Sequence, residues 1–279
     1  GEPTSIYAGQ AAYWLLNPAS FSVPIPTDLL DGYGQRGVSR FTMRSFAAFG
    51  ELGWQLADGL RATLGLRYTY EDKHGSYVTE VAGGPSLAAL PASTVAELTR
   101  ARLSILRPQA YTAGDSGGNL SGRASVAWQA NDRLMTYLTF SQGFKSGGLN
   151  MSGLPLDAAN RPALGTAVIR DERNTTLEAG LKARSATGGM TLDLAAFRTV
   201  VGDYQANIVS SLETAALRSY PSNIPEVRVQ GAEADLAFKP RDDLTLRLSV
   251  AYADGRNTAY PAGPCPLERQ TATTAACDL

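Results

Sequence analysis

The sequence has few of the residues that metal sites and catalytic centres use. Among 279 residues there are one histidine, His74, and two cysteines, Cys265 and Cys277. A metal site built on imidazole or thiolate ligands needs more of them in one neighbourhood. The charges almost cancel, with 25 Lys and Arg against 26 Asp and Glu, so no basic excess indicates a nucleic-acid partner. No run of 18 apolar residues occurs, which argues against a membrane-spanning helix.

What the sequence does have is a series of four long hairpins. The predicted strands are residues 44–56 and 60–72, 119–129 and 134–144, 175–184 and 190–200, and 227–238 and 244–252. The turns are predicted at 57–59, 131–132, 187–189 and 239–243, with long Gly-, Ser-, Pro- and Thr-rich loops at about 1–43, 73–118, 145–174, 201–226 and 253–279. Short turns that alternate with long loops are typical of outer-membrane β-barrels.

Apolar and polar residues alternate along these strands. In 60–71, one face carries Leu60, Ala62, Leu64, Leu66, Tyr68 and Tyr70, and the other Arg61, Thr63, Gly65, Arg67, Thr69 and Glu71. Strands of soluble folds are usually about five or six residues long. These are roughly twice as long, enough to cross a bilayer at a tilt of about 45°. The pattern predicts an all-β, antiparallel up-and-down transmembrane β-barrel segment with short periplasmic turns and long extracellular loops.

The polar face is predicted to line a wet lumen. Its charged members are Arg61, Arg67, Glu71, Arg123, Glu178, Lys182, Arg184, Glu233, Asp235 and Arg247. Eight strands are predicted, or ten if 5–14 and 208–220 contribute, as part of a larger barrel, since large outer-membrane transporters have about 22.

Two strands and one loop leave alternatives open. In 134–144, Leu134, Leu138 and Phe140 compete with Met135 and Tyr137 for the apolar face. In 227–238 the apolar face changes near Gly231, which indicates either a bulge or outward residues Arg228 and Gln230 above the membrane rim. Residues 94–107 are predicted to form a short helix with a capping box at Thr94 and Glu97.

The segment Gly114-Asp115-Ser116-Gly117-Gly118 matches the sequence around the nucleophile of chymotrypsin-like proteases. Such a serine needs a histidine base and an orienting carboxylate. His74 is the only histidine, and no aspartate lies between His74 and Asp115, as that family's order requires. We therefore interpret 114–118 as a polar loop that enters a strand and His74 as a solvated loop residue, and we predict no enzymatic activity.

The two cysteines flank a polar stretch in the last loop. In an oxidising compartment, Cys265 and Cys277 are predicted to form a local disulfide, with two free thiols as the alternative.

Six segments, in order, resemble one known family. Residues 141–150, Ser-Gln-Gly-Phe-Lys-Ser-Gly-Gly-Leu-Asn, look like the S-x-G-F-K-x-G-G-x-N segment of TonB-dependent outer-membrane receptors. Residues 46–52, 65–69, 177–182, 197–205 and 229–233 resemble further strand motifs of the same barrels. The chain 1–279 therefore resembles a partial TonB-dependent receptor β-barrel domain. Gly143, Phe144, Lys145, Gly147, Gly148 and Asn150 form the family motif at the barrel rim, and we expect them to shape the strand exit rather than contact ligand.

The resemblance implies a function and partners. It implies energised uptake of a scarce nutrient, such as an iron–siderophore complex, across the outer membrane of a Gram-negative bacterium, without a cofactor. The implied partners are outer-membrane lipid and lipopolysaccharide, TonB and a plug domain in the full-length receptor, and a small-molecule ligand. No plug, signal peptide or C-terminal aromatic strand is present in the sequence, so we expect a fragment.

Other functions remain open at this point. One alternative is a small standalone outer-membrane barrel, and another is a soluble all-β carbohydrate-binding module. The substrate is also open, since haem, cobalamin and glycans are taken up by the same family. Loop aromatics are candidates to stack on a ligand or to pack the loops together: Tyr7, Tyr13, Trp14, Tyr33, Tyr77, Tyr111 and Tyr260.

Overall fold

The computed structural model describes residues 4–8, 10–157, 161–209, 219–259, 263–264 and 276–277. The elements are β1 (Thr4–Ala8), α1 (Gln10–Tyr13), β2 (Tyr33–Ala57), β3 (Leu60–Ala82), α2 (Ala92–Ile105), β4 (Gln109–Asn131), β5 (Leu134–Lys145), β6 (Gly148–Leu149), β7 (Val168–Ile169), β8 (Glu172–Arg184), β9 (Met190–Val209), β10 (Ser219–Arg241), β11 (Leu244–Ala259), β12 (Gly263–Pro264) and β13 (Ala276–Cys277). Nine strands form one sheet in the order β1-β2-β3-β4-β5-β8-β9-β10-β11, and β6–β7 and β12–β13 form two small sheets. All pairs are antiparallel, so the chain runs up and down as predicted.

The four predicted hairpins are confirmed, and their turns are tight. Gly59 has φ +72° in the β2–β3 turn, and a Cβ there would lie 2.4 Å from the carbonyl oxygen of Gln129. Only glycine fits both constraints. The β4–β5 turn lies at Asp132-Arg133, one residue later than predicted, and the β10–β11 turn is reduced to Asp242-Asp243.

The predicted loops at about 1–43, 73–118, 145–174, 201–226 and 253–279 are all too long, because the strands extend further. β2 begins at Tyr33, β8 at Glu172 and β10 at Ser219, and β11 continues to Ala259. β3 continues to Ala82 and β4 begins at Gln109. The segment 114–118, predicted as a loop, is part of β4, where Gly114 pairs with His74 and Gly118 with Tyr70. His74 thus lies in a strand rather than a loop, although its side chain is 70% exposed. Directly above the apolar belt, residues 71–76 of β3 and 114–118 of β4 are polar or glycine on both faces, so the two-residue hydrophobic period disappears while backbone pairing continues.

The predicted helix is confirmed as α2, but the capping box is wrong. The helix begins earlier, with Pro91 as N-cap and no side-chain cap. Thr94 is therefore already inside the first turn. Glu97 instead accepts a hydrogen bond from the backbone N–H of Ser22, 3.2 Å away, and one from Arg100. Glu97 thus links α2 to the segment that contains Ser22 and does not cap the N-terminus of α2. No helix among the described residues is long and apolar enough to span a membrane.

The strand register resolves the two ambiguous strands. Val227 to Phe238 pairs without interruption with both β9 and β11, so the bulge considered at Gly231 is wrong. Gln230 lies between Arg198 and Asp254, and the outer face becomes polar at one level on three strands. In β5, Leu138 and Phe140 share the apolar face, whereas Tyr137 lies on the other.

A row of residues that pair across neighbouring strands moves further from the short turns with each strand. It is formed by Leu64, Ala124, Phe140, Leu177, Arg198, Gln230 and Asp254. Leu64 lies four residues after the start of β3 at Leu60, and Asp254 lies ten residues after the start of β11 at Leu244. Strands that are tilted and staggered, as in a barrel wall, produce this increasing distance from the turns.

The outward face is an apolar belt exposed to the surroundings. Its large side chains include Phe46 (67% exposed), Leu52, Trp54, Leu66, Leu120, Trp128, Leu248 and Tyr252. From Leu60 to Tyr70, ten residue steps span about 33 Å of strand. At a barrel tilt of about 40° this is roughly 25 Å of height, the height of a lipid-facing band. Tyr68 and Tyr70 end the belt on one side and Trp54 and Trp128 on the turn side, as aromatic girdles do.

The buried core lies above the belt rather than between sheets. One cluster, the upper lobe, packs α2 against residues 16–33 and contains Leu16, Phe21, Ile25, Leu29, Leu30, Tyr33, Leu98 and Ala101. A second cluster contains Tyr77, Tyr111, Leu154 and Ala167. Both lie at the ends of the strands that are far from the short turns.

Candidate functional site: inner wall and rim loop

The charged residues predicted to line a lumen all lie on the face opposite the apolar belt. The register alternates them with the outward residues on every strand from β3 to β11. Lys182 Nζ lies 2.9 Å from Asp193 Oδ2 across the β8–β9 pair. Tyr137 donates to Glu178 Oε1 over 2.8 Å. The guanidinium of Arg67 lies 5.5 Å from the centre of the Phe49 ring. We call this surface the inner wall; that it faces water in a complete barrel stays a prediction.

The inner wall is uneven in charge. Arg61, Arg67 and Arg123 lie on β3 and β4 and form no ion pair with the residues that the structure describes. The carboxylates Glu178, Asp193, Glu233 and Asp235 lie on β8 to β10. A polar solute or a protein segment that occupies the lumen would thus meet a cationic side and a largely anionic side.

The rim motif shapes the exit of β5. Gly143 and Phe144 pair with Asn174 and Arg173 of β8, and the exposed Lys145 pairs with Glu172. After Lys145 the chain turns onto the inner wall. We call residues 146–171 the rim loop.

A nearly buried ion pair holds the start of the rim loop. Lys73 is 3% exposed, and its Nζ lies 2.8 Å from Glu71 Oε2. The same ammonium donates to Ser146 Oγ over 2.6 Å, and Ser146 Oγ donates to Glu71. The three side chains thus hydrogen-bond to one another. The charges of Lys73 and Glu71 therefore have partners although the rim loop covers them, as buried charges require.

Asp171 closes the other end of the rim loop. Its Oδ1 accepts from the backbone N–H of Gly147 over 2.6 Å, and its Oδ2 accepts from Asn119 Nδ2 over 2.5 Å. A Cβ at Gly147 would lie 2.2 Å from the carbonyl oxygen of Ile169. Position 147 therefore requires glycine, because the backbones at Gly147 and Ile169 approach each other too closely for a side chain.

The middle of the rim loop is anchored on β4. Tyr111 donates to the carbonyl oxygen of Asn150 over 2.8 Å. The Gln109 side-chain amide donates to the Leu154 carbonyl over 2.7 Å and accepts from its N–H over 2.9 Å. Asn150 is 3% exposed, and its Oδ1 accepts from Ser152. Gln109 was not identified from the sequence, since nothing in a strand entry marks a residue that bonds to a loop 45 positions away.

Charged contacts also hold the upper lobe together. Arg102 donates to the carbonyl oxygens of Leu29 and Pro85, 3.1 and 2.6 Å away. The Arg100 guanidinium lies 4.3 Å from the centre of the Phe21 ring. The hydrogen bonds from Arg100 and Ser22 lower the pKa of Glu97, outweighing a small desolvation effect. These contacts fix α2 over the strand ends.

Most of the described aromatics that were predicted to lie in loops are used in packing, and Tyr33, Tyr77 and Tyr111 lie in β2, β3 and β4 instead. Tyr33, Tyr77 and Tyr111 are buried, Tyr13 donates to the Ile25 carbonyl over 3.2 Å, and Trp14 is 81% exposed. Tyr260 and Cys265 lie outside the described residues, as does the side chain of Tyr7. Cys277 lies in β13, so the disulfide with Cys265 stays a prediction.

Comparison with known proteins identifies the family. The family model "TonB dependent receptor-like, beta-barrel" matches residues 4–274. The chain is similar to the ferric yersiniabactin uptake receptor FyuA from Yersinia pestis, with a TM-score of 0.56 and 18% identity over 83% of this chain and 30% of that one. It is also similar to the siderophore receptor PiuA from Acinetobacter baumannii, with a TM-score of 0.50 and 15% identity over 81% of this chain and 26% of that one. At such identities the structures show the shared fold, and this chain spans less than a third of either protein. With the family model matched over nearly its whole length, the chain belongs to the TonB-dependent receptor-like β-barrel family.

Proposed function

We propose that this chain, 1–279, is part of the barrel of an outer-membrane receptor that takes up a scarce nutrient, such as an iron–siderophore complex, in a Gram-negative bacterium. The observation that carries the proposal is the two-sided sheet: an exposed apolar belt on one face and a charged wall on the other. Such a sheet is stable where lipid covers the first face and water or protein covers the second.

The same sheet disfavours a soluble carbohydrate-binding module. In a sandwich the apolar face packs against a second sheet. Here Phe46, Leu120 and Leu248 remain more than half exposed, and no second large sheet covers them among the described residues. Lipid is the partner that suits this face.

The proposed substrate class rests on relatives and on the inner wall. FyuA is named as a ferric yersiniabactin uptake receptor and PiuA as a siderophore receptor. The cations Arg61, Arg67 and Arg123 of the inner wall form no ion pair with the described part of the chain, and they suit an anionic chelate that passes along this wall. TonB and a plug domain are the proposed partners of the complete receptor, because large outer-membrane transporters of about 22 strands have a plugged lumen.

Growth under iron starvation tests the proposal. The complete polypeptide that carries this chain is expressed in a strain without its own siderophore receptors, with a panel of ferric siderophores as sole iron sources. Growth on at least one of them that disappears when TonB is deleted is the expected result. Growth that does not depend on TonB would contradict the proposed function. So would the absence of growth on every ferric siderophore when the protein is folded and inserted in the membrane. Sequencing the gene on both sides should show a plug domain upstream and an aromatic-ending strand downstream.

A further inference from the structure

The two ends of the rim loop are joined by a side chain of β9. The amide of Gln205 donates to the carbonyl oxygens of Ser146 and Arg170, each 3.0 Å away. Ser146 begins the rim loop, and Arg170 lies next to its last residue. A primary amide has two N–H donors, so this one group bridges both ends of the loop.

Asn223 of β10 lies opposite Gln205 and binds the same end of the loop. Its Oδ1 accepts from the backbone N–H of Arg170 over 2.9 Å. Its Nδ2 donates to the Arg170 carbonyl over 3.0 Å and to the Asp203 carbonyl over 2.7 Å. The Arg170 guanidinium in turn lies 2.5 Å from Asp203 Oδ1. We call Asp203, Gln205 and Asn223 the clamp.

Asp203 adopts a backbone conformation that is rare for an aspartate. Its φ is +52°, the only positive φ at a residue other than glycine in the described parts of the chain. Such a conformation persists where the surroundings hold it. Here Arg170 binds the carboxylate of Asp203 and Asn223 binds its carbonyl. The contacts that hold the rim loop thus also hold the bend in β9 next to Gln205.

The rim loop is attached on both sides of β5 and β8, the strands that carry it. On one side, β3 and β4 bind it through Lys73, Gln109 and Tyr111. On the other side, β9 and β10 bind it through the clamp. Leu154 in the loop is fully buried. Lifting the loop off the inner wall would therefore break contacts on both sides and expose an apolar side chain and a buried charge.

We propose that the clamp keeps the rim loop folded on the inner wall throughout uptake, so that the loop is a fixed part of the wall past which the transported solute moves. The segments 141–150 and 197–205, which resemble separate family motifs, then act together, because Gln205 of the second binds Ser146 of the first. The statement about uptake rests on the proposed function. The hold of the clamp on the loop does not depend on it.

The distance between two spin labels tests the clamp in the complete polypeptide. One label is attached at Leu164→Cys in the rim loop, where the native side chain is 58% exposed, and the other at Asp58→Cys in the β2–β3 turn. The background carries Cys265→Ser and Cys277→Ser, so that only the introduced thiols react. The distance distribution is measured in lipid vesicles at neutral pH, with and without ferric siderophores.

The test variants change only the amide of Gln205. Gln205→Leu removes it, and Gln205→Glu keeps its shape but leaves no N–H donor at neutral pH. The matched control is Gln129→Leu, because the Gln129 amide donates to the Asn131 carbonyl near a short turn, far from the rim loop. We expect one narrow distribution for the wild type and the control, unchanged by ferric siderophores, and a broad one for both Gln205 variants.

A narrow distribution in either Gln205 variant, or a broad one in the control, would overturn the assignment of the clamp. A wild-type distribution that shifts when ferric siderophore is added would overturn the fixed position of the loop. If Gln205→Leu does not fold, Gln205→Glu decides.

Uptake by a cross-linked receptor tests whether transport needs the loop to move. Ala110 of β4 and Leu164 of the rim loop line one recess of about 600 Å³, so cysteines at both positions are to be joined by a reducible bifunctional reagent. Uptake of radiolabelled ferric siderophores should proceed at the same rate before and after cross-linking. Loss of uptake on cross-linking, with recovery on reduction, would overturn the proposal. No uptake by the unmodified receptor would instead contradict the proposed function, and the spin-label distances would still decide whether the clamp holds the loop.

Discussion

The ammonium of Lys73 in β3 donates to the hydroxyl of Ser146 at the start of the rim loop, 2.6 Å away, although 73 positions separate the two residues. Glu71 completes the contact, 2.8 Å from Lys73. The rim loop is therefore attached to the inner wall through a charge that solvent hardly reaches. Ser146 lies at a variable position within the segment 141–150 and accepts the hydrogen bond from this ammonium.

Replacing Lys73 by Met should destabilise the protein by about 3 kcal/mol, because it leaves the carboxylate of Glu71 under the loop without its partner. Lys182→Met removes a lysine from the ion pair with Asp193, whose side chains are 52% and 47% exposed, and should cost less than about 1 kcal/mol. Urea unfolding of the complete polypeptide in lipid vesicles measures both. The double variant Lys73→Met with Glu71→Gln should recover part of the loss. Equal effects of the two single variants would show that the buried pair has no special role.

Gly147 and Gly148 are adjacent but should respond differently to alanine. A Cβ at Gly147 would lie 2.2 Å from the Ile169 carbonyl oxygen, whereas one at Gly148 would lie 3.8 Å from the nearest atom, Ile169 Cδ1. Gly147→Ala should release the rim loop and increase its cleavage by added protease several-fold. Gly148→Ala should be cleaved as the wild type is. Resistance of Gly147→Ala to the protease would mean that the two backbones can separate without freeing the loop.

A charge at the middle of the apolar belt should be costly only on the outward face. Leu64→Arg places a guanidinium toward lipid and should destabilise the barrel by roughly 2–4 kcal/mol. Thr63→Arg places the same group on the inner wall of the same strand and should change stability by less than about 1 kcal/mol. Folding yield into vesicles and urea titration compare them. The reverse order would mean that the assignment of the two faces is wrong.

Packing of the upper lobe should weaken in acid. The hydrogen bonds from Arg100 and Ser22 lower the pKa of Glu97 in the folded protein. The contact therefore contributes above the ordinary carboxyl pKa of about 4.3 and is lost as the pH falls through the lower, folded value. Hydrogen exchange of the Ser22 amide measures this contact.

At neutral pH, Glu97→Gln should exchange the Ser22 amide faster than the wild type at the same pH. The difference should disappear in acid, where the wild-type carboxyl is protonated as well. Because the side chains are partly exposed, the effect is expected to be small and local. A difference that persists unchanged in acid would show that the carboxyl charge is not responsible.

The alternation of side chains is sufficient to predict most of the barrel wall. Leu60 to Tyr70 can be assigned to one face because the strand period is two, and one register satisfies the whole run. The Asp58-Gly59 turn followed from local turn chemistry in the same way, and helix α2 was located from the sequence although the capping box assigned to it is wrong. These predictions depended on neighbours in the chain, which the sequence displays directly.

The strand ends and the rim loop depended on distant contacts. From Glu71 to Ser76 the residues on both faces of β3 are polar or glycine, so no hydrophobic period indicated that pairing continues to Ala82. Likewise, Glu97 was assigned to a capping box because the sequence cannot show that Ser22, 75 positions away, offers its N–H.

The sequence by itself determined a two-sided, antiparallel wall with short turns, since alternation and turn chemistry are local properties. The tertiary structure decided that Lys73 lies beneath Ser146, that Gln109 holds Leu154, and that Gln205 joins the two ends of the rim loop. Each of these depends on which segments meet across the sheet. The strand register determines which segments meet, and so does the need of buried charges and backbone groups for hydrogen-bonding partners. Neighbouring residues in the sequence do not reveal these distant partners.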